Sequence, residues 1–169
     1  MEILVRPDPE RLAELLARDE FFWLDLHGPT PEELEAVGRQ LGLPPLAVED
    51  SLEMGQRPKL DEYVDTVLLV FYGMSNAAIL AEVHLHLSGR FLMTVRDAAS
   101  VHLEAARAWA TEPDRSEEDV VALVLDTLTD SFVPALDAIE ADVDQLEAAL
   151  LGRPTVAQRR VLLDRRNDL

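Results

Sequence analysis

The stretch VEDSLEMGQRPKLDEY at residues 48–63, continued by VDTVLLVFY at 64–72, decides how the chain is organised. The second part is rich in β-branched and aromatic residues, which predicts a buried strand from Val64 to Tyr72. In the first part, Pro58 fixes the backbone that leads into this strand. Two bases, Arg57 and Lys59, lie within reach of three acids, Glu49, Asp50 and Asp61. We therefore predict a salt-bridged corner between a helix and a strand, with a structural and not a catalytic role.

Upstream of this corner, strand-like and helix-like segments alternate. Strands are predicted at 2–5 and 21–26, and a helix at 7–18 with Asp8 as its cap. Thr30, Pro31 and Glu33 form a capping-box signature for a second helix, which we expect to end near Gly42. Pro44 or Pro45 then opens a short helix that leads into the corner.

Downstream of it, residues 79–87 and 90–95 are predicted to form a hairpin around a Ser88–Gly89 turn, and residues 98–110 a helix. The order of elements is βαβααβββα, followed by long helices. This order predicts the α/β class, as an αβα layered sandwich with an acidic long-helix appendage at the carboxyl end. We expect a core at residues 1–113 and the appendage at 114–169, within one structural domain overall.

The appendage shows apolar residues at heptad-like spacing from Leu125 to Leu150, with Pro134 inside the seam as a kink or, less favourably, a break. After Gly152, Arg153 and Pro154, a second amphipathic helix is predicted from Val156. It reaches Leu169 without a C-cap, so we expect a truncated helix, a frayed terminus being the alternative.

Composition excludes several classes of function. The formal net charge of -18 disfavours nucleic-acid binding, because phosphates are repelled. The chain has no cysteine, which excludes thiolate metal sites and disulfides. We find no leader-like apolar segment at the start, no run long enough to span a bilayer, and no catalytic motif. The expectation is an intracellular protein that is not an enzyme.

Two patterns are compatible with a metal ion. Glu82, His84 and His86 alternate along one predicted strand and point the same way, opposite Val83, Leu85 and Leu87. Imidazole and carboxylate groups suit zinc, but strand alternation alone explains the spacing, so the polar face of a half-buried hairpin is the favoured interpretation. By residue type alone, the acids of the long helix are interpreted as its solvated face. The alternative is a hydrated magnesium site, because oxygen ligands suit magnesium, which keeps several of its waters.

The corner motif resembles the CorA family of magnesium and cobalt transporters. The resemblance rests on the acidic pair Glu49 and Asp50, on Gln56, Arg57, Pro58 and Lys59, and on the hydrophobic strand that follows. FWLDL at 22–26, PTPEEL at 29–34, LPPLAVED at 43–50 and the segment from Leu125 to Pro154 are similar to the same family. The resemblance covers nearly the whole chain.

The resemblance implies the soluble regulatory domain of a divalent-cation transporter, on the cytoplasmic side of the cell membrane. Family members are homopentamers in which a stalk helix leads into the first membrane helix and a Gly-Met-Asn motif marks the pore mouth. Magnesium or another divalent cation, bound between cytoplasmic domains, holds the pore closed. We therefore expect a cation-sensing homo-oligomeric domain whose stalk begins near Val156 and whose membrane helices are missing.

Two positions depart from the family pattern. Pro44 stands where the family usually has histidine, and residues 73–77 carry no carboxylate where magnesium-sensing members have acids. Sensing through Asp130, Asp137 or Asp144 is one alternative, and a zinc-transporting relative that uses Glu82, His84 and His86 is another. A stand-alone oligomerisation module built on the heptad seam also remains open.

Overall fold

The computed structural model describes residues 1–18, 20–75, 79–97, 103–112 and 115–151. The strands are β1 (Glu2–Leu4), β2 (Phe22–His27), β3 (Lys59–Glu62), β4 (Val67–Met74), β5 (Leu80–Ser88) and β6 (Phe91–Arg96). The helices are α1 (Pro9–Arg18), α2 (Pro31–Leu41), α3 (Pro45–Leu52), α4 (Glu104–Ala110), α5 (Glu117–Asp130) and α6 (Val133–Leu151).

The strands form one mixed sheet in the order β1-β2-β6-β5-β4-β3. β1, β2 and β6 are parallel to one another, whereas β5 runs antiparallel to both β6 and β4, and β3 pairs antiparallel with β4. β5 therefore lies inside the sheet, with a hydrogen-bonded strand on each side.

Each face of the sheet carries its own hydrophobic cluster. On one face, Leu24 of β2 and Met93 of β6 pack with residues of α1, α2 and α3. On the other face, Trp23 and Leu85 pack with Leu103, with residues of α4 and with Val120, Val124 and Leu128 of α5. The layers are helices, sheet and helices, which confirms the predicted αβα sandwich.

Local sequence signals place the helix ends. Thr30 and Glu33 form the predicted capping box, and Gly42 ends α2 in the left-handed conformation at φ 71°. Asp8 accepts a hydrogen bond from the backbone N–H of Arg11 at 3.0 Å, as a cap does. Ser116 and Asp119 form a second capping box at the start of α5.

The structure adds a strand that the sequence analysis missed. β3 runs through the charged segment KLDE and lies at the edge of the sheet, where charged side chains are ordinary. The hairpin turn also differs, because Ser88 pairs with Phe91 and the turn consists of Gly89 and Arg90. The predicted helix at 98–110 is seen from Glu104; residues 98–102 lie outside the described ones.

For the seam from Leu125 to Leu150, the structure shows the less favoured alternative, a break near Pro134 and not a kink. α5 ends at Asp130 and α6 begins at Val133, so the seam is divided between two helices. Pro134 lacks an N–H, and its ring would clash with the carbonyl of Asp130 in an unbroken helix. The break falls between Asp130 and Val133, just before the proline, so the clash does not arise.

The chain divides into two compact units, Met1–Ser131 and Phe132–Leu169. The first unit includes α5, which buries Val120, Val124 and Leu128. In the described ranges, no helix is long and apolar enough to cross a membrane.

Candidate functional site

The motif at 48–63 forms the predicted corner between α3 and β3. Lys59 Nζ lies 2.6 Å from a carboxylate oxygen of Asp50 and 2.9 Å from one of Asp61. The hydrogen bonds that Lys59 donates to these two carboxylates raise its pKa to about 12. Glu49, Arg57 and Pro58 are exposed, and neither Glu49 nor Arg57 has an ion pair within the described ranges.

Gln56 connects the corner to the end of α3. Its side-chain amide donates to the carbonyl of Asp50 at 2.6 Å and to that of Glu53 at 3.1 Å. These carbonyls lie at the carboxyl end of the helix, where the last C=O groups have no N–H partner within the helix. Gly55, at φ 96°, takes a backbone conformation that favours glycine, and it turns the chain just before Gln56.

Beneath the corner lies a buried carboxylate, Glu82, with only 6% of its surface exposed. It accepts hydrogen bonds from the backbone N–H groups of Gly55 at 2.5 Å and Gln56 at 3.1 Å. The Tyr72 hydroxyl lies 3.1 Å from the same carboxylate, and His84 Nε2 lies 2.5 Å from its other oxygen. The carboxylate thus ties β4, β5 and the corner loop together.

Ser51 extends this network towards His86. Its hydroxyl oxygen lies 3.1 Å from His84 Nδ1 and 2.8 Å from His86 Nε2. Ser51, His84 and Glu82 thus follow the serine–histidine–carboxylate order of a hydrolase triad. Ser51 is, however, only 2% exposed, so a substrate does not reach its hydroxyl in this conformation. We interpret the network as structural and call Glu82, His84, His86 and Ser51 the buried column.

Burial and hydrogen bonding shift the pKa values in the column. Burial raises the pKa of Glu82, but hydrogen bonds from His84, Gly55 and Gln56 outweigh it and leave the pKa below its usual value. Burial and the neighbouring His84 lower the pKa of His86 to about 3. The column therefore holds an ionised carboxylate beside a neutral His86.

The expectation that Glu82, His84 and His86 lie on the polar face of a half-buried hairpin is wrong. All three side chains are buried, because helices cover both faces of the sheet and β5 lies inside it. The described side chains include no group of three His, Asp or Glu residues that could hold a metal ion. The structure thus offers no support for a zinc site at these residues.

The acids proposed for magnesium lie on separate elements. Asp130 is the last residue of α5, whereas Asp137 and Asp144 lie seven residues apart on α6, close to one helix face. All three side chains are exposed.

The sequence analysis missed a second buried charge cluster, on the opposite face of the sheet. Asp25, 1% exposed, accepts hydrogen bonds from the Arg96 guanidinium at 2.8 and 3.0 Å, from Thr94 at 2.8 Å and from Arg107 of α4. Burial raises the pKa of Asp25, but Arg96 outweighs it, and the pKa lies below its usual value. The sequence contains one signal for this cluster, the charged Asp25 among the apolar residues of the FWLDL strand.

Comparison with known proteins assigns the chain to a family. The profile of the family described as CorA-like Mg2+ transporter protein matches residues 18–169. The chain belongs to the CorA family. The matched range includes the corner motif and the buried column.

Relatives of this CorA-family chain agree with the assignment. YfjQ of Bacillus subtilis, named as a metal ion transporter, is 24% identical over 155 residues, covering 88% of this chain and 48% of YfjQ. The soluble domain of CorA from Methanocaldococcus jannaschii has the same fold, with a TM-score of 0.62 and 18% identity over 83% of this chain and 60% of that one. The complete CorA magnesium transporter of that organism gives a TM-score of 0.65 at 18% identity, over 83% of this chain and 47% of the transporter. The chain thus spans about half the length of the complete proteins it matches here.

Proposed function

We propose that this CorA-family chain is the regulatory, cation-sensing domain of a divalent metal ion transporter on the cytoplasmic side of the membrane. The observation that carries the proposal is the family match over 18–169, together with a fold shared with the soluble domain of a CorA protein. The role is not enzymatic. In the full assembly the domain belongs to a homopentamer whose membrane helices conduct the ion.

Magnesium, or cobalt in its place, is the proposed regulatory ligand. Magnesium keeps several waters and needs few protein ligands, so exposed carboxylates suffice where two subunits meet. Asp137 and Asp144 are seven residues apart on α6, which puts both on nearly one face, and Asp130 ends α5. The chain's net charge of -18 raises the local concentration of cations around such a site.

The test is isothermal titration of the metal-free chain with magnesium, cobalt and zinc, with the assembly followed by sedimentation. The double variant D137N/D144N removes two candidate ligands, and E140Q/E147Q removes the same charge from the same helix. Saturable magnesium binding with growth of the assembly, weakened by the first variant and kept by the second, is the expected result.

Other outcomes separate the alternatives. Zinc binding that is lost on changing His84 and His86 to alanine would move the chain to a zinc-transporting branch, against the structure of the buried column. Self-association without any saturable metal binding would favour an oligomerisation module. Absence of saturable binding by all three ions would refute the sensing role of this chain.

A further inference from the structure

A groove runs along the outer side of α5, at the end of the sheet where β3 turns into β4. Its volume is about 640 Å³. Its lining includes six large apolar side chains: Phe21, Val64, Val67, Leu87, Val121 and Leu125. Val64, in the turn between β3 and β4, is 98% exposed, although burial of a valine side chain lowers the free energy. The other five of these side chains are half-buried, so Val64 is the one that a partner would cover most.

The spacing along α5 indicates the shape of the partner. Val121, Ala122 and Leu125 recur at three- and four-residue intervals on the side of α5 that lines the groove. Val120, Val124 and Leu128 are buried in the core, and Leu125 also packs against that core from its edge. Such a ridge of side chains packs against the groove of a second helix. The groove therefore fits a helix lying alongside α5.

Charge indicates the partner's chemistry. The charged residues that line the groove are Asp65, Glu117 and Glu118, all acidic and all exposed. Asp119, next to them, is used by the capping box with Ser116. Asp65, Glu117 and Glu118 have no ion pair among the described residues. A rim of one sign around an apolar floor selects a partner of the opposite sign.

We propose that this groove docks a basic amphipathic helix of a separate protein, with its apolar face on Val64, Val121 and Leu125 and its arginine or lysine side chains against Asp65, Glu117 and Glu118. A second copy of this chain is the competing occupant, and the experiment below distinguishes it from a separate protein. A small-molecule ligand fits less well, because the three charged lining residues are all exposed and such sites rely on a few enclosed polar groups.

The experiment uses a synthetic peptide of about four helical turns, built of leucine and arginine with the leucines on one face. Binding to the complete chain is measured by fluorescence anisotropy. One control peptide has glutamate in place of arginine, and the other keeps the composition but scatters the leucines. Both controls are expected to bind weakly, because the groove needs an apolar face and a positive rim together.

Variants of the protein locate the binding. V64N and, separately, E117Q/E118Q are expected to weaken the peptide's affinity by about fivefold or more. The matched controls are V143N and E140Q/E147Q, which make the same changes on α6 and are expected to leave the affinity within about twofold. Val64 is almost fully exposed, so V64N folds, and circular dichroism checks each variant.

Three results would overturn the proposal. The scattered peptide could bind as well as the amphipathic one, which would reduce the effect to charge. The α6 variants could weaken binding as much as the groove variants, which would place the peptide elsewhere. Sedimentation could show self-association that V64N abolishes, which would make the groove an interface between copies.

Discussion

At the scale of single residues, one carboxylate organises the hydrogen bonds of the corner. Glu82 receives donors from Gly55 and Gln56 in the corner loop, from Tyr72 on β4 and from His84 on its own strand. A buried carboxylate costs free energy unless its oxygens are hydrogen-bonded, and here the donors meet that need. The corner loop is thereby held from inside the protein, whereas the Lys59 ion pairs hold it from outside.

Replacing Glu82 by glutamine is expected to destabilise the fold. The amide keeps the shape but loses the charge and turns one acceptor into a donor that faces backbone N–H groups. We expect E82Q to lower the free energy of unfolding by about 1.5–3 kcal/mol in chemical denaturation, since hydrogen bonds to charged groups are worth that much. The control E140Q, at an exposed acid of α6, is expected to change it by less than about 0.5 kcal/mol. Equal stability of E82Q and wild type would refute this view of the column.

His86 predicts a dependence of stability on pH. Its pKa is about 3 in the folded chain, against 6.5 as its ordinary value, because it is buried beside His84. Below pH 6.5 the unfolded chain binds a proton that the folded chain does not bind, so acid favours unfolding. Between pH 6.5 and 5.5, above the value of 4.5 at which a glutamate ordinarily titrates, the free energy of unfolding should fall by up to about 1.4 kcal/mol per pH unit.

The matched comparison is H86Q against H27Q. H86Q removes the titrating group and should flatten the profile in this interval, whatever its effect on stability at neutral pH. H27Q changes an exposed histidine and should leave the slope unchanged. A profile of H86Q as steep as that of wild type would show that another group is responsible.

At the scale of elements, the close contact between α2 and α3 determines the position of α3, and with it that of the corner. Gly38 of α2 lies against Val48 of α3, and a Cβ atom at Gly38 would stand 2.5 Å from a methyl carbon of that valine. Valine is stiff about its first side-chain torsion and cannot easily give way. The absence of a side chain at Gly38 therefore lets α3 approach and cover the sheet.

Substitution of Gly38 tests this contact. G38A is expected to lower the free energy of unfolding by about 1–3 kcal/mol, although alanine favours helices, because the methyl group overpacks the contact. The double variant G38A/V48A should lose less than the sum of the two single changes, since each relieves the other. G89A is the control: the turn at Gly89 has open space, and we expect little change. Additive losses would show that the two residues do not compete for space.

At the scale of the whole molecule, the two compact units differ in what they bury. The described hydrophobic clusters lie within Met1–Ser131. On α6, Leu136 is 59% exposed, and Val133, Ile139 and Val143 are also exposed. The first unit therefore has a core of its own.

A chain that ends at Ser131 is expected to fold by itself. Its thermal unfolding, followed by circular dichroism, should remain a single cooperative transition, because every described core cluster is retained. A chain that ends at Asp114 is the control; it lacks Val120, Val124 and Leu128 and should lose this cooperativity. Broad, gradual melting of the longer fragment would place part of the core in the second unit.

Sequence reasoning succeeded where the signal lies within a few residues. Thr30 and Glu33 are three residues apart, and Gly42 ends a helix by its own conformational freedom, so neither needs the rest of the fold. The alternation of strands and helices likewise predicted the α/β class and its three layers. The corner motif led to the family for the same reason, since its residues are contiguous.

Long-range pairing determined the rest. Alternation along β5 predicts that Glu82, His84 and His86 lie on one face and that Val83 and Leu85 lie on the other. It does not predict that both faces are buried, because this burial depends on the neighbouring strands and on the helices that cover the sheet. Ser51 reaches His86 across 35 residues of chain, and Asp25 meets Arg96 across 71. Burial, not residue type, turned these polar groups from a candidate zinc site into a hydrogen-bonded support for the corner, because a buried polar group must find its partners inside the protein.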